Sequence, residues 1–190
     1  MIQSEYDSED FTKALDNYEN SEFIDCTFDS LDLQETSFKY SRFIDCTFKN
    51  CNLSNANFLS ASIRDTQFTN CKLIGINWSI TDNLNSPIFL NCVLNMCSFQ
   101  DLKLIALDAQ NCLFHESDFS NAELTKSIFK GSDFKEALFH GADLEQANFE
   151  DAKNYFIDPA ITKIKGAKFS TPDVYSFFKT LDIIVDDVKP

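Results

Sequence analysis

A chain of 190 residues is long enough to bury one sizeable core and short for two, so a single domain is expected. Its 44% hydrophobic content excludes a disordered chain, and a formal charge of −14 with a pI near 4.4 disfavours a phosphate-backbone ligand, so no direct nucleic-acid binding is expected. The opening MIQSEYDSED lacks the basic and apolar regions of a secretory leader, and no apolar run reaches the roughly 20 residues that span a bilayer. The expectation is a soluble, cytoplasmic protein with no membrane partner.

Two counts are unusual. There are 20 Phe against 1 Trp and 2 Met, as if one residue type fills one kind of slot. There are also only 4 Gly and 4 Pro, too few for ordinary hairpin turns, so the chain must turn by other means. The 7 Cys are odd in number and lack paired zinc-type spacing, which favours reduced thiols and no metal or other cofactor.

Residues 1–17, with Tyr6, Phe11 and Leu15 outside the register that follows, are expected to cover one end of the structure. From Tyr18 every fifth residue is large and apolar: Phe23, Phe28, Leu33, Phe38, Phe43, Phe48, Leu53, Phe58, Ile63, Phe68, Leu73 and Trp78. The pattern slips by one residue within 79–88, then runs from Leu84 and Phe89 to Leu144 and Phe149, with Ala109 the only small member. Two residues before each large one sits a small or thiol side chain, such as Cys26, Ser41, Cys51, Ala61, Cys97, Ser132 or Ala147. A strict five fits neither the 3.6-residue period of a helix nor the alternation of a half-buried strand. The hexapeptide FIDCTF, at Phe23–Phe28 and again at Phe43–Phe48, adds a longer interval of 20 residues. The remaining reading is a repeat solenoid over 18–153, whose slip is either a bulge that keeps the phase or a short projecting loop. A single phase across the slip would put Leu84, Leu104, Leu124 and Leu144 in one column, which favours the bulge.

Units such as NANF (Asn55–Phe58), GADL (Gly141–Leu144) and QANF (Gln146–Phe149) resemble the signature of pentapeptide-repeat proteins. That resemblance implies an all-β fold, a right-handed quadrilateral parallel β-helix in which four units make one coil of 20 residues, here about seven coils. It also implies columns of rings, Phe28 over Phe48 over Phe68 and Phe99 over Phe119 over Phe139.

Beyond Phe149 the pattern fades through an irregular segment, 154–170, and regains register at Ile164 and Phe169. Residues 171–190 follow a helical rule: Thr171 suits an N-cap, Pro172 the first turn, and Val174, Phe177, Phe178 and Leu181 one apolar face. That helix is expected to cap the open end and to carry a symmetric homodimer contact; relatives in the family that dimerise through their C-terminal modules agree.

No constellation suggests catalysis. His115 and His140 follow central rings, point outward and fall on adjacent faces, so they read as surface residues and the chain reads as no enzyme. Cys26 over Cys46, Cys51 over Cys71 and Cys92 over Cys112 stack one coil apart; packing by size explains them, with metal or redox use the alternative. What remains is charge. Asp25, Asp45 and Asp65 hold one outward position on three successive coils, with shorter lines at Glu116 and Glu136 and at Glu123 and Asp143. One reading is a solvating acidic shell; the other is a partner-binding stripe on a rod that imitates duplex charge.

The stretches CKLIGIN, NYFIDP, TKIKGAKFSTPDV and LDIIV are similar in order and spacing to the microcin-immunity members of the family, which with the quinolone-resistance members are its gyrase-protecting proteins. This resemblance implies a DNA-mimic binder of DNA gyrase or topoisomerase IV that protects it from a quinolone or peptide toxin. The alternative is a structural scaffold with another protein partner.

Overall fold

Each five-residue unit forms one side of a four-sided coil. In the computed structural model, which describes residues 2–180, the chain returns to the same place every 20 residues, as in the pairing of Phe28 with Phe48 and of Phe48 with Phe68. All pairing is parallel. Strands Ser4–Asp7, Ser21–Ile24, Arg42–Ile44, Ser62–Arg64 and Asn83–Asn85 stack in that order on the first face. Strands Asp10–Phe11, Thr27–Asp29, Thr47–Lys49, Gln67–Thr69, Ile88–Leu90 and Asp108–Gln110 stack on the second. The third and fourth faces are joined by single bridges, such as Asp32 with Asn52 and Ser98 with Asp118.

The unit explains its own sequence. The central residue is buried, and so is the residue two before it, which sits inside the corner. The residue two after the centre turns the corner in the left-handed region, with φ of 54° at Asn50, 58° at Asn55 and 55° at Asn70. Asn, Asp and Gly adopt that conformation with least strain. A chain with 4 Gly therefore turns mainly on Asn, Asp and Ser, and all of its glycines, Gly75, Gly131, Gly141 and Gly166, stand at the same corner position.

The core is built of stacked rings. Phe28 and Phe48 lie 4.5 Å apart, Phe48 and Phe68 5.0 Å, Phe99 and Phe119 4.9 Å, and Phe119 and Phe139 5.2 Å, each pair within 10° of parallel. Neighbouring columns meet edge to face, as Phe23 does with Phe28 at 5.3 Å. Burying each ring is worth roughly 1.5–3 kcal/mol, and both geometries are favoured for aromatic pairs.

The corner slot carries more than size. Its hydroxyls and thiols donate to the carbonyl of the central residue one coil below: Ser117 Oγ to Leu94 O at 2.6 Å, Ser132 to Ala109 at 2.9 Å, Cys46 Sγ to Phe23 O at 3.3 Å and Cys112 to Phe89 at 3.4 Å. The expectation that size alone explains these residues is thus incomplete, because Ser, Thr and Cys share a donor that Ala lacks. Burial pushes the Cys46 and Cys97 thiols up to about 12, so both are neutral and poorly nucleophilic at physiological pH.

The register slip stays inside the wall. Ile63 pairs with Leu84 and Phe68 with Phe89, one residue more than the coil interval, whereas Phe89 with Ala109 restores it. The extra residue is absorbed in a 3-10 turn, Trp78–Ile80, where Asn77 Oδ1 accepts from Ser79 N–H at 3.0 Å and the Thr81 hydroxyl donates to Trp78 O at 2.8 Å. All four faces keep their phase.

One expectation about the ends needs correction. Tyr6 and Phe11 stand off the 20-residue register, 17 residues before their partners, and still join the columns, Tyr6 on Phe23 and Phe11 on Phe28, each at 4.9 Å, because the first coil is shorter than the others. At the other end Thr171 is not the N-cap. Pro172 precedes a 3-10 turn, Asp173–Tyr175, with no side-chain cap, and a five-residue helix follows, Ser176–Thr180. The apolar face divides, since Phe177 packs edge-on against Phe169 at 4.8 Å while Phe178 remains 36% exposed beside Tyr175. Val174 is half-buried, and Leu181 lies outside the described residues.

Candidate protein-interaction surface

The carboxylates singled out by spacing occupy three separate lines. Asp25, Asp45 and Asp65 stand at the corner between the first and second faces, each in the left-handed conformation with φ of 51°, 54° and 49°. Their backbone N–H groups donate to the next coil, Asp25 to Ile44 O at 2.9 Å, Asp45 to Arg64 O at 3.1 Å and Asp65 to Asn85 O at 3.0 Å, so the carboxylates project from a rigid ladder. All three are exposed. Asp65 has a cationic neighbour, Arg64 Nε at 3.5 Å, and Ser8 Oγ reaches Asp25 at the same distance.

Glu123 and Asp143 lie on the first face in a mixed line, held between Lys103, 3.5 Å from Glu123, and Lys163, 3.0 Å from Asp143. Burial raises the Asp143 carboxyl, but the Glu145 N–H, Lys163 and the Thr125 hydroxyl outweigh it and hold the group below its ordinary value. Glu116 and Glu136 stand at corners of the third face, on the opposite side of the rod, and Glu136 has Lys135 at 3.6 Å. The seven acidic residues therefore do not form one stripe. The N-terminal half of the first face carries Glu5, Asp7, Glu22 and the three corner Asp residues, with Arg42 paired to Glu22 and Arg64 to Asp65.

One polar cluster was missed by sequence reasoning. Asp133, with its side chain 11% exposed, accepts from Asn154 Nδ2 at 2.8 Å and Lys135 N–H at 3.2 Å, and its second oxygen lies 3.4 Å from His115 Nε2 and 3.7 Å from Lys153 Nζ. Burial raises the Asp133 carboxyl, and the Asn154 amide, the Lys135 N–H and His115 together bring it below its ordinary value. His115 is thus a half-buried partner of Asp133, while His140 is exposed on the next face. The signal was available, since Asp133 and Lys153 stand one coil interval apart and pair in the structure.

The cluster sets an expected pH response. A carboxyl whose folded pKa is depressed contributes stability above its unfolded value, near 3.9, and loses it as pH falls through the folded value. Asp133→Asn should lower the urea midpoint at pH 7, and the gap to the parent should narrow as pH drops below about 4. Equal gaps at pH 7 and at acid pH would remove Asp133 as the source.

Among the described residues no group of three or more His, Cys, Asp or Glu is arranged to hold a metal ion, and no helix is long and apolar enough to cross a membrane. Large apolar side chains cluster near the C-terminal end, where Leu138, Phe156 and Ile161 are about half exposed. The sequence pattern "pentapeptide repeat region" matches residues 21–84, and "pentapeptide repeats (8 copies)" matches 97–135 and 117–153. No curated protein matches the chain. Among solved structures, a trypsin-treated form of QnrB1, a plasmid-mediated fluoroquinolone resistance protein, is 17% identical with a TM-score of 0.48, covering 96% of this chain and 100% of that one. Full-length QnrB1 is 16% identical with a TM-score of 0.46, covering 96% and 99%. HetL, a pentapeptide repeat protein involved in heterocyst differentiation regulation from the cyanobacterium Nostoc sp. strain PCC 7120, is 16% identical with a TM-score of 0.38, covering 80% and 86%. At such identities the likeness speaks to neither partner nor activity.

Proposed function

The chain belongs to the pentapeptide-repeat family, and from that premise we propose that it is a non-enzymatic, cytoplasmic interaction protein whose acidic edge docks in the basic DNA groove of DNA gyrase or topoisomerase IV. There it lessens the effect of a poison, a quinolone or a peptide toxin. Family membership supplies the rod and leaves the partner open, because fold does not dictate function. The supporting observation is the Asp25, Asp45 and Asp65 ladder. The corner conformation it occupies is met equally by Asn20, Asn50, Asn55 and Asn70, so the backbone does not ask for charge. Three stacked carboxylates carry mutual repulsion that asparagine would avoid. A basic groove gains from this field in encounter rate and orientation.

The test is a supercoiling assay on purified gyrase with a quinolone or peptide toxin present. The parent protein should preserve activity, and the Asp25→Asn/Asp45→Asn/Asp65→Asn variant should need roughly tenfold more protein at low salt, with a weaker salt dependence. Its urea midpoint should be unchanged or slightly raised, which separates lost charge from lost fold. Unaltered protection by the triple variant, or no effect of the parent at stoichiometric excess, rejects the reading.

The half-exposed Leu138, Phe156 and Ile161 favour a second copy of the chain at the C-terminal end, giving a homodimer with both acidic edges free. A single-chain mass in sedimentation would remove the dimer and leave these residues to a different protein partner, as a scaffold role requires.

A further inference from the structure

We infer that the corner between the first and second faces carries, at the register break, a receptor notch for one cationic side chain, arginine or lysine, of a protein partner. The inference rests on the basic-partner reading above and adds the anchor point.

The corner is a ladder of left-handed residues: Asp25, Asp45, Asp65, Ser86, Ala106 and Lys126. Between Asp25 and Lys126 its side chains are charged except at Ser86 and Ala106. Those two small steps leave a notch of about 280 Å³ in an otherwise continuous edge. Buried Pro87 forms its floor, and Ile88 and Ile105 form apolar walls, Ile105 being 49% exposed. Asp65 and Asp108 close it with carboxylates.

That combination fits a side chain with an aliphatic stem and a charged head. Methylenes lie against Ile and Pro while the head reaches carboxylate, and a guanidinium can do so with two hydrogen bonds. The present contacts of the acids are replaceable. Arg64 lies 3.5 Å from Asp65 with both side chains 49% exposed, and Gln110 Nε2 donates to Asp108 at 2.9 Å. Lys103, beyond Ile105, is tied to Glu123 at 3.5 Å, so Arg64 is the cation that an incoming side chain must displace from Asp65. The notch continues the Asp25, Asp45 and Asp65 edge, so one partner surface can meet both.

The probe is the peptide acetyl-Gly-Arg-Gly-amide, titrated into the isotopically labelled full chain and followed by amide chemical shifts. Saturable shifts are expected at Ser86, Ile105, Ala106 and Asp108, with none from the citrulline peptide, which keeps the shape without the charge. Asp65→Asn/Asp108→Asn should weaken binding at least fivefold. Ala106→Lys should abolish it by filling the notch, and its fold is protected because Lys126 already stands in the same conformation one coil away. Equal shifts with citrulline, or shifts spread evenly over Asp25 and Asp45, would overturn the inference. Because no topoisomerase enters this test, a bound notch with failed protection removes only the partner's identity, and protection with an empty notch removes only the notch.

Discussion

Phe119→Ala is expected to lower the unfolding free energy by about 3–5 kcal/mol, read as a fall in the urea midpoint. Phe119 is completely buried, stacked 4.9 Å from Phe99 and 5.2 Å from Phe139, with its edges against Phe114 at 5.3 Å and Phe134 at 6.2 Å. Truncation removes one ring from a pile and leaves its two neighbours facing a void. The wall cannot sink inward to fill it, because Phe119 N–H is held to Leu138 O at 2.8 Å and Phe99 N–H to Asp118 O at 2.8 Å. The loss should therefore fall in the upper part of the range. In a solenoid each coil is stabilised by its neighbours, so hydrogen exchange should quicken first in the coils that carry Phe99, Phe119 and Phe139. Phe119→Leu should cost much less, since Leu occupies the central slot at Leu104 and Leu124. A loss below about 1 kcal/mol for the alanine variant would show that the stacked column is not the main source of cohesion.

Gly141→Val is expected to cost about 1–3 kcal/mol, although the residue lies on the surface. Gly141 turns its corner at φ of 70°, where a β-branched side chain is strained, and a Cβ there would lie 2.5 Å from Asn121 Oδ1 on the coil below. Gly141→Asn brings the same Cβ without the branch and should cost less, because Asn121 itself holds the same corner conformation at φ of 58°. Thermal melting of both variants checks this, and equal midpoints would mean that the Cβ contact with Asn121, and not branching at positive φ, sets the cost.

In the sequence, Asp25, Asp45 and Asp65 stand out as a repeated charge; in three dimensions they also answer a backbone requirement that spacing does not reveal, since the sign of φ leaves no mark on hydrophobic period. The lines Glu123 with Asp143 and Glu116 with Glu136 look alike in sequence, yet the first is bracketed by lysines and the second faces the opposite side. Lys103 and Lys163 lie one coil from their acidic partners, so only the closed coil brings each ion pair together. The inward thiols and hydroxyls show the same gap, because the carbonyl each one meets is 23 or 24 residues away.

The chain alone determined its period of five and its longer interval of 20, a spacing that neither a helix nor an alternating strand can bury. The four-sided coil with its ring columns followed from the resemblance to pentapeptide-repeat proteins, and the structure decided that the slip stays inside the wall. Even the missing glycines pointed to turns of another kind. The tertiary structure decided which charges stand free, which are cancelled, that Asp133 binds three coils of the third face through His115 and Lys153, and that Ser86 and Ala106 leave a notch in the acidic edge. These depend on distances between residues one coil apart on the outer surface, where side chains of any polarity are tolerated and sequence period carries no constraint.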